Sequence, residues 1–154
     1  MEYKLHFTFL LNYDYWANER IIESVKENNI STGKPIALLS HIINAEILTI
    51  ARIKKTKYID PFEVRSIENN MELSKSINSE WLEFINSLRE NEFNNLIEYD
   101  NIKGEHITAK IWEMFLHMIN HSTYHRGQIA TSLRIMNITP PASDLMNFSM
   151  LNKE

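Results

Sequence analysis

The sequence predicts an all-α fold in which four long helices pack into a bundle. Apolar residues recur at spacings of three and four along four segments, which is the pattern of a helix with one buried face. The chain has 154 residues but only 3 Gly and 4 Pro, and so few turn-forming residues disfavour a many-stranded β fold. This length is usual for one domain, so we expect residues 1–154 to form a single domain.

The first two predicted helices are separated by a short polar break. Helical periodicity extends from about Tyr3 to Glu27, and Ser31-Thr32-Gly33 supplies the break. The second helix begins near Pro35, a residue suited to the first turn of a helix, and runs to about Arg52. The cations that begin at Arg52 suit the dipole at a helix C-terminus.

The second half of the chain predicts two further helices and a small hairpin. Residues 54–69 have no clear period and form a long connection, after which helical spacing runs from about Met71 to Glu90. Turn residues at 100–104 separate two short β-prone pieces, which favours a short hairpin between the third and fourth helices. Thr108 is a good N-cap for the fourth helix, which we expect to reach about Met136.

Charge and composition exclude several classes of function. Lys and Arg number 16 against 20 Asp and Glu, for a net charge of −4 without a basic patch, so we expect no nucleic-acid partner. The sequence has no cysteine, which excludes disulfides, thiolate ligands and a cysteine nucleophile. No signal peptide is evident, and no apolar run approaches the ~18 residues of a membrane span. We therefore expect a cytoplasmic protein that has no membrane partner.

The fourth predicted helix carries histidines at every fourth position, namely His117, His121 and His125. Side chains four residues apart lie about 5–6 Å apart at Cβ, so two imidazoles can share one ion. His117 and His125 are about 12 Å apart along the helix axis and cannot share one. His125 lies near the centre of the apolar stripe and His121 at its edge, whereas His117 lies toward the flank. His121 and His125 are therefore the better pair of metal ligands.

A third ligand is needed, because catalytic zinc sites use three protein ligands and leave one position for water or substrate. The remaining candidates are His6 near the N-terminus, His106 in the predicted hairpin, and His41 in the middle of the second helix. Small Ala45 follows His41 by one turn and leaves room for another helix or an ion. His41 thus completes the set, although the spacing alone leaves open that all three are ordinary core or surface histidines.

The residues that follow His125 have interpretations of their own. Gln128 follows His125 by three residues, so it faces the same cleft as the predicted metal ligands and could hydrogen-bond a ligand or a metal-bound water. The alternative is that Gln128 is an ordinary polar residue that faces solvent. Arg126 points elsewhere, and we expect it to pair with a carboxylate or with a partner subunit. Gly127 destabilises a helix by about 1 kcal/mol relative to Ala, which a close helix contact would explain.

These residues also fit the motifs of a known family. The run Asn120–Gln128 resembles the C-terminal signature of the DinB family, and its most specific part is His-Arg-Gly-Gln at 125–128. Leu39–Glu46 is similar to the histidine motif of the family's second helix, and Tyr15–Arg20 is similar to its first-helix pattern. The C-terminal signature continues with three further matches, Leu133-Arg134, Pro140-Pro141 and Asp144.

The resemblance implies a four-helix bundle with up-down-down-up connectivity that forms a homodimer. It also implies one divalent metal ion, zinc or nickel, bound by His41, His121 and His125, with His117 as a structural or supporting neighbour. The family includes S-transferases that use the low-molecular-weight thiols bacillithiol or mycothiol, and a maleylpyruvate isomerase. The resemblance therefore points to a small-molecule substrate and to a thiol cofactor.

Two functions from different classes follow. The first is a metal-dependent enzyme, of the thiol S-transferase or hydrolase type, in which an open coordination position lowers the pKa of a bound thiol or water. No separate general base is evident, since Glu46 lies about 140° around the helix from His41 and faces away from the ion. The alternative is a non-enzymatic, stress-related metal-binding bundle whose ion is structural. A closed sphere of four protein ligands would favour this alternative.

Overall fold

Four long α-helices dominate the computed structural model, which describes residues 2–151. A two-stranded antiparallel sheet stands between the third and the fourth of them. The elements in chain order are α1 (Tyr3–Glu27), α2 (Lys34–Lys54), α3 (Ile67–Ser87), a 3₁₀ helix (Glu90–Asn94), β1 (Leu96–Asp100), β2 (His106–Lys110), α4 (Ile111–Ile135) and the short α5 (Leu145–Leu151). The mostly helical class and the hairpin are therefore confirmed.

The core consists of two apolar clusters that follow one another along α1. In the first cluster, Phe7 and Phe115 pack with Trp81, whose side chain is fully buried. In the second cluster, Ile21 of α1 packs with residues of α2 and with Leu133 of α4. The closest helix pairs are α1 with α3 and α2 with α4. The second of these pairs determines which side chains of α2 and α4 face each other.

Local signals set the helix ends. α1 has the predicted bounds, and Pro35 lies in the first turn of α2 as predicted. α3 begins at Ile67 rather than near Met71, because Ser66 caps it. The Ser66 hydroxyl accepts a hydrogen bond from the backbone N–H of Asn69 at 3.2 Å, which satisfies one of the unpaired donors of the first turn. Periodicity alone missed this turn because most of its residues are polar.

The prediction that Thr108 caps the fourth helix is wrong. Thr108 lies in β2 and pairs with Glu98 of β1, so its backbone takes part in the antiparallel ladder. α4 begins after it, with Lys110 as the N-cap. The backbone N–H of Lys110 donates to the Glu113 carboxylate at 2.8 Å. This carboxylate stabilises the helix start in place of a threonine hydroxyl.

α2 is long and apolar, and it bears on the expectation that no apolar run approaches the ~18 residues of a membrane span. An 18-residue window of this helix has a mean hydropathy of 1.5, which by length and composition is sufficient to cross a membrane. Within that window, 61% is buried inside the protein. Such burial is that of a core helix, and no other helix of residues 2–151 passes the same test.

Candidate metal centre

Three imidazoles from two helices converge at one point of the structure. The Nε2 atom of His41, on α2, lies 3.1 Å from Nε2 of His121, on α4. The Nε2 atom of His125 lies 3.1 Å from the same His121 atom. One nitrogen from each ring can be chosen so that all of them lie within 4.8 Å of one another. The structure thus brings together the three histidines that the sequence predicts as metal ligands.

Helix geometry and helix pairing produce this convergence. His121 and His125 are one turn apart on α4, so their side chains project from the same face. α2 packs against that face, and the His41 ring lies 4.8 Å from both of the other two rings, centroid to centroid. Ala45, one turn after His41, lines the space beside the rings. Its small side chain leaves that space open.

Hydrogen bonds on the far side of two rings orient the converging nitrogens. The Nδ1 atom of His41 lies 2.8 Å from the backbone carbonyl oxygen of Pro61. The Nδ1 atom of His125 lies 2.9 Å from the amide oxygen Oε1 of Gln128. Both oxygens can only accept, so Nδ1 carries the proton in both rings. The Nε2 lone pairs therefore point into the cluster, as in metal-binding histidines whose second nitrogen is hydrogen-bonded.

Burial keeps His121 and His125 unprotonated. Burial, together with the three neighbouring histidines, lowers the pKa of His121 from 6.5 to about 3. The pKa of His125 is also lowered, because the effect of burial exceeds that of the Gln128 hydrogen bond, which raises it. Both rings are therefore neutral at pH 7. Neutral imidazole is the form that binds a metal ion, so no proton has to be displaced first.

The donor set fits one divalent cation. The Nε2 atoms of His41 and His125 both present lone pairs to Nε2 of His121. A proton on Nε2 of His121 can form a good hydrogen bond to only one of these two lone pairs. A cation among the three nitrogens satisfies all of them at once. Zinc lies ~2.0–2.1 Å from histidine nitrogens, and two nitrogens 3.1 Å apart then subtend an angle between a right angle and the tetrahedral angle. Imidazole donors suit zinc and nickel alike.

A cleft of about 390 Å³ opens beside the cluster. His41 and His121 form part of its wall, together with residues of the connection after α2 and of the hairpin. Phe62 from that connection stacks on the His41 ring at 5.1 Å, with the two ring planes 3° apart. Among the described residues, no carboxylate or further histidine joins the group of three. A ligand in the cleft could therefore reach an ion held by the cluster.

The other histidines lie outside the cluster. The ring of His117 is 6.1 Å from that of His121, and it lines the cleft without joining the three converging nitrogens. His106 is exposed in the hairpin, where its Nδ1 lies 3.2 Å from the Asp100 carboxylate. His6 is exposed on the first turns of α1.

A buried polar layer lies behind the site, between the two apolar clusters. Arg126, next to His125, is 2% exposed, and its Nη1 donates to Asp14 at 2.6 Å and to Asn18 at 2.8 Å. The Asn18 amide in turn donates to Glu46 at 2.8 Å. Burial raises the pKa of Glu46 well above 4.5, and the Asp14 charge raises it further. The expectation that Arg126 pairs with a carboxylate is thus confirmed, and Glu46 faces this layer.

Sequence reasoning missed the α1 members of this layer. Asp14 and Asn18 are one turn apart on the buried face of α1, in line with Leu10 and Ile21. Two polar residues on an otherwise apolar face are the signal that could have identified them, because buried polar groups require partners.

The prediction that a close helix contact explains Gly127 is wrong. Within residues 2–151, a Cβ added to Gly127 would meet no atom within 4 Å, so no described helix packs closely against it.

The fold and the cluster define a class of protein, a helical bundle with a candidate metal centre of three imidazoles between two packed helices. The family model described as DinB family matches residues 10–154, and the chain belongs to the DinB family. Its sequence is similar to Protein DinB of Bacillus subtilis (strain 168). The two are 24% identical over 144 residues, which cover 81% of this chain and 83% of the relative.

Proposed function

We propose that this DinB-family protein is a divalent-metal-dependent enzyme that acts on a small molecule. The metal ligands are His41, His121 and His125, and the reaction is thiol S-transfer or hydrolysis. The observation that carries the proposal is the convergence of three imidazole nitrogens beside an open cleft. Three protein ligands and one free position are the usual composition of a catalytic zinc site.

The residues of the chain hold the site ready for an ion. The Pro61 carbonyl and the Gln128 amide fix the proton on the outer nitrogens of His41 and His125. Phe62 covers one face of the His41 ring. When bound, a divalent ion with a free position lowers the pKa of a thiol or water and supplies a nucleophile at neutral pH.

Several finer parts of the proposal rest on the family. They are zinc or nickel as the ion, bacillithiol or a similar thiol as cofactor, a homodimer, and the up-down-down-up connectivity of the four long helices. Each of them is supported by the resemblance of the motifs around His41 and His125 to those of the DinB family.

A structural ion is the second candidate, and one observation favours it. The cluster joins α2 to α4, so a bound ion would also cross-link the two helices and stabilise the bundle. A structural site and a catalytic site differ in whether the fourth position exchanges ligands. Cobalt(II) in place of the natural ion reports that exchange, because its visible spectrum changes when a thiol binds.

The first test measures metal content by elemental analysis after purification. We expect one ion per chain in the wild type and loss of the ion in His41→Ala and in His125→Ala. His106→Ala is the matched control, because His106 is an exposed histidine outside the cluster, and it should keep the ion. Stoichiometric metal in both cluster variants would refute the proposed site.

The second test measures activity. Metal-loaded and chelator-treated protein are compared for conjugation of bacillithiol to an electrophile, and for hydrolysis of small esters and amides. Activity that requires the ion in either assay supports the enzyme. A bound ion whose cobalt spectrum does not respond to thiols, together with no activity, supports the structural ion instead.

A further inference from the structure

The cleft beside the three histidines contains one permanent cation. Among the described residues that line it, Arg52 is the only Lys or Arg, and the rest of the wall is mainly apolar or aromatic. A second cavity of about 240 Å³ adjoins this cleft and shares Arg52, Thr49, Tyr99 and His117 with it. Arg52 therefore stands where the two cavities meet, at a distance from the metal centre.

Helix geometry places Arg52 on the same face of α2 as His41. Three helical turns separate them, or roughly 16 Å along the axis. Ala45, Leu48 and Thr49 lie between them on that face, and all three line the cleft. His41 and Arg52 thus lie at the two ends of one row of side chains on α2, and the cleft runs along that row.

The guanidinium of Arg52 is positioned but not neutralised. Its Cζ lies 4.5 Å from the centre of the Tyr99 ring, on which it stacks. Within residues 2–151, no carboxylate lies within salt-bridge distance of Arg52. Glu113, which lines the adjoining cavity, instead accepts a hydrogen bond from the backbone N–H of Lys110. A stacked guanidinium keeps its edge N–H groups free for an acceptor in its plane.

A solvated cation at a helix end is the alternative role for Arg52. Lys54, in the same last turn of α2, illustrates that role, since it is exposed and pairs with Glu80 at 2.7 Å. Arg52 differs from it in being half-buried, in stacking on a residue of the hairpin and in facing a cleft.

We propose that Arg52 binds a carboxylate of the small molecule whose other end reaches the three-histidine centre. This inference rests on the proposed function and deepens it by naming a chemical feature of the ligand. A planar guanidinium matches a carboxylate through two parallel hydrogen bonds. A single cation between apolar walls suits one carboxylate better than a phosphate group, which carries more charge and more acceptor atoms.

The test uses cobalt-loaded protein and thiols of defined length. Mercaptopropionate, mercaptohexanoate and mercaptoundecanoate are each titrated against the uncharged mercapto-alcohol of the same length, and the cobalt–thiolate absorption gives the affinity. We expect the carboxylate to bind roughly tenfold more tightly at the length that spans the cleft, as for one charge-assisted interaction. Because this comparison is made within the wild type, it does not depend on any variant folding.

Substitutions then assign the preference to Arg52. Arg52→Met should abolish it, Arg52→Lys should retain part of it, and Lys54→Met should leave it unchanged, with cobalt stoichiometry and melting temperature measured for each. Equal affinity for acid and alcohol at every length, or an undiminished preference in Arg52→Met, would overturn the inference while the metal site stands. A wild type that binds no cobalt contradicts the proposed function, and the inference falls with it.

Discussion

The amide oxygen of Gln128 lies 2.9 Å from Nδ1 of His125, and His125 precedes Gln128 by less than one helical turn on α4. The sequence predicts that Gln128 faces the cleft and could hydrogen-bond a ligand or a metal-bound water. In the structure its oxygen lies at the outer nitrogen of His125, which is itself one of the predicted metal ligands. Gln128 therefore acts on the site through the orientation and basicity of that ring.

Replacing Gln128 by leucine should weaken metal binding. The Gln128→Leu variant loses the acceptor that holds the proton on Nδ1 of His125, and removing such a partner typically lowers metal affinity about 10–100-fold. Gln128→Glu keeps an acceptor oxygen and should bind at least as tightly as the wild type. Competition with a chromogenic zinc chelator measures both. Unchanged affinity in Gln128→Leu would show that the hydrogen bond has no orienting role.

The stability of the metal-free protein should fall as the pH is lowered from 6.5 toward 3. Burial lowers the pKa of His121 to about 3 in the folded chain, whereas an unfolded histidine titrates near 6.5. Between these values the unfolded state binds more protons, so acidification favours unfolding. Urea midpoints at pH 7 and pH 5 measure the effect. His121→Asn should show a smaller decline, and an equal decline in both proteins would contradict the assignment.

Breaking the buried pair behind the site should destabilise the bundle strongly. Arg126→Met leaves the Asp14 carboxylate buried without its cation, and loss of one partner of such a pair costs about 3–5 kcal/mol. The double variant Asp14→Leu/Arg126→Met removes both charges and should recover much of that loss. Urea unfolding gives both free energies. A loss below about 1 kcal/mol in Arg126→Met would mean that the pair is of little consequence.

Gly127→Ala should stabilise the isolated chain. A methyl group there meets no atom of the described residues within 4 Å, and Ala is favoured over Gly inside a helix by about 1 kcal/mol. The melting temperature should rise accordingly, without change in metal content. A fall in stability accompanied by loss of a dimer in sedimentation experiments would instead show that this face of α4 is covered by a second copy.

Periodicity predicts the elements of this fold better than their junctions. The bounds of α1 follow from apolar spacing because the whole helix has one continuous buried face. The starts of α3 and α4 do not, since each depends on one local contact, the Ser66 hydroxyl on Asn69 and the Glu113 carboxylate on Lys110. Thr108 has the right chemistry for a cap, but strand pairing takes precedence there.

The candidate site, too, could be predicted from the sequence only in part. The approach of His121 and His125 is a property of any helix that carries them at that spacing. The position of His41 beside this pair depends on the packing of α2 against α4. The residue spacing within α2 does not predict that packing, so the family motif was the stronger guide to His41. The backbone oxygen of Pro61 and the side chain of Arg52 could not be assigned in advance. Their roles depend on the path of the connection and on the position of the hairpin.

His41 and His121 are separated by 80 positions in the chain, and this separation makes the ion a probe of folding. An unfolded chain offers the pair on α4 as a weak two-nitrogen chelate, but it does not hold the third donor nearby. Binding selective for the folded chain raises stability by RT ln(1 + [L]/Kd), with [L] the free ion concentration. Under the proposed ligand set, the rise in unfolding free energy with ion concentration thus gives the Kd of the ion for the folded chain, in which α2 and α4 are packed together.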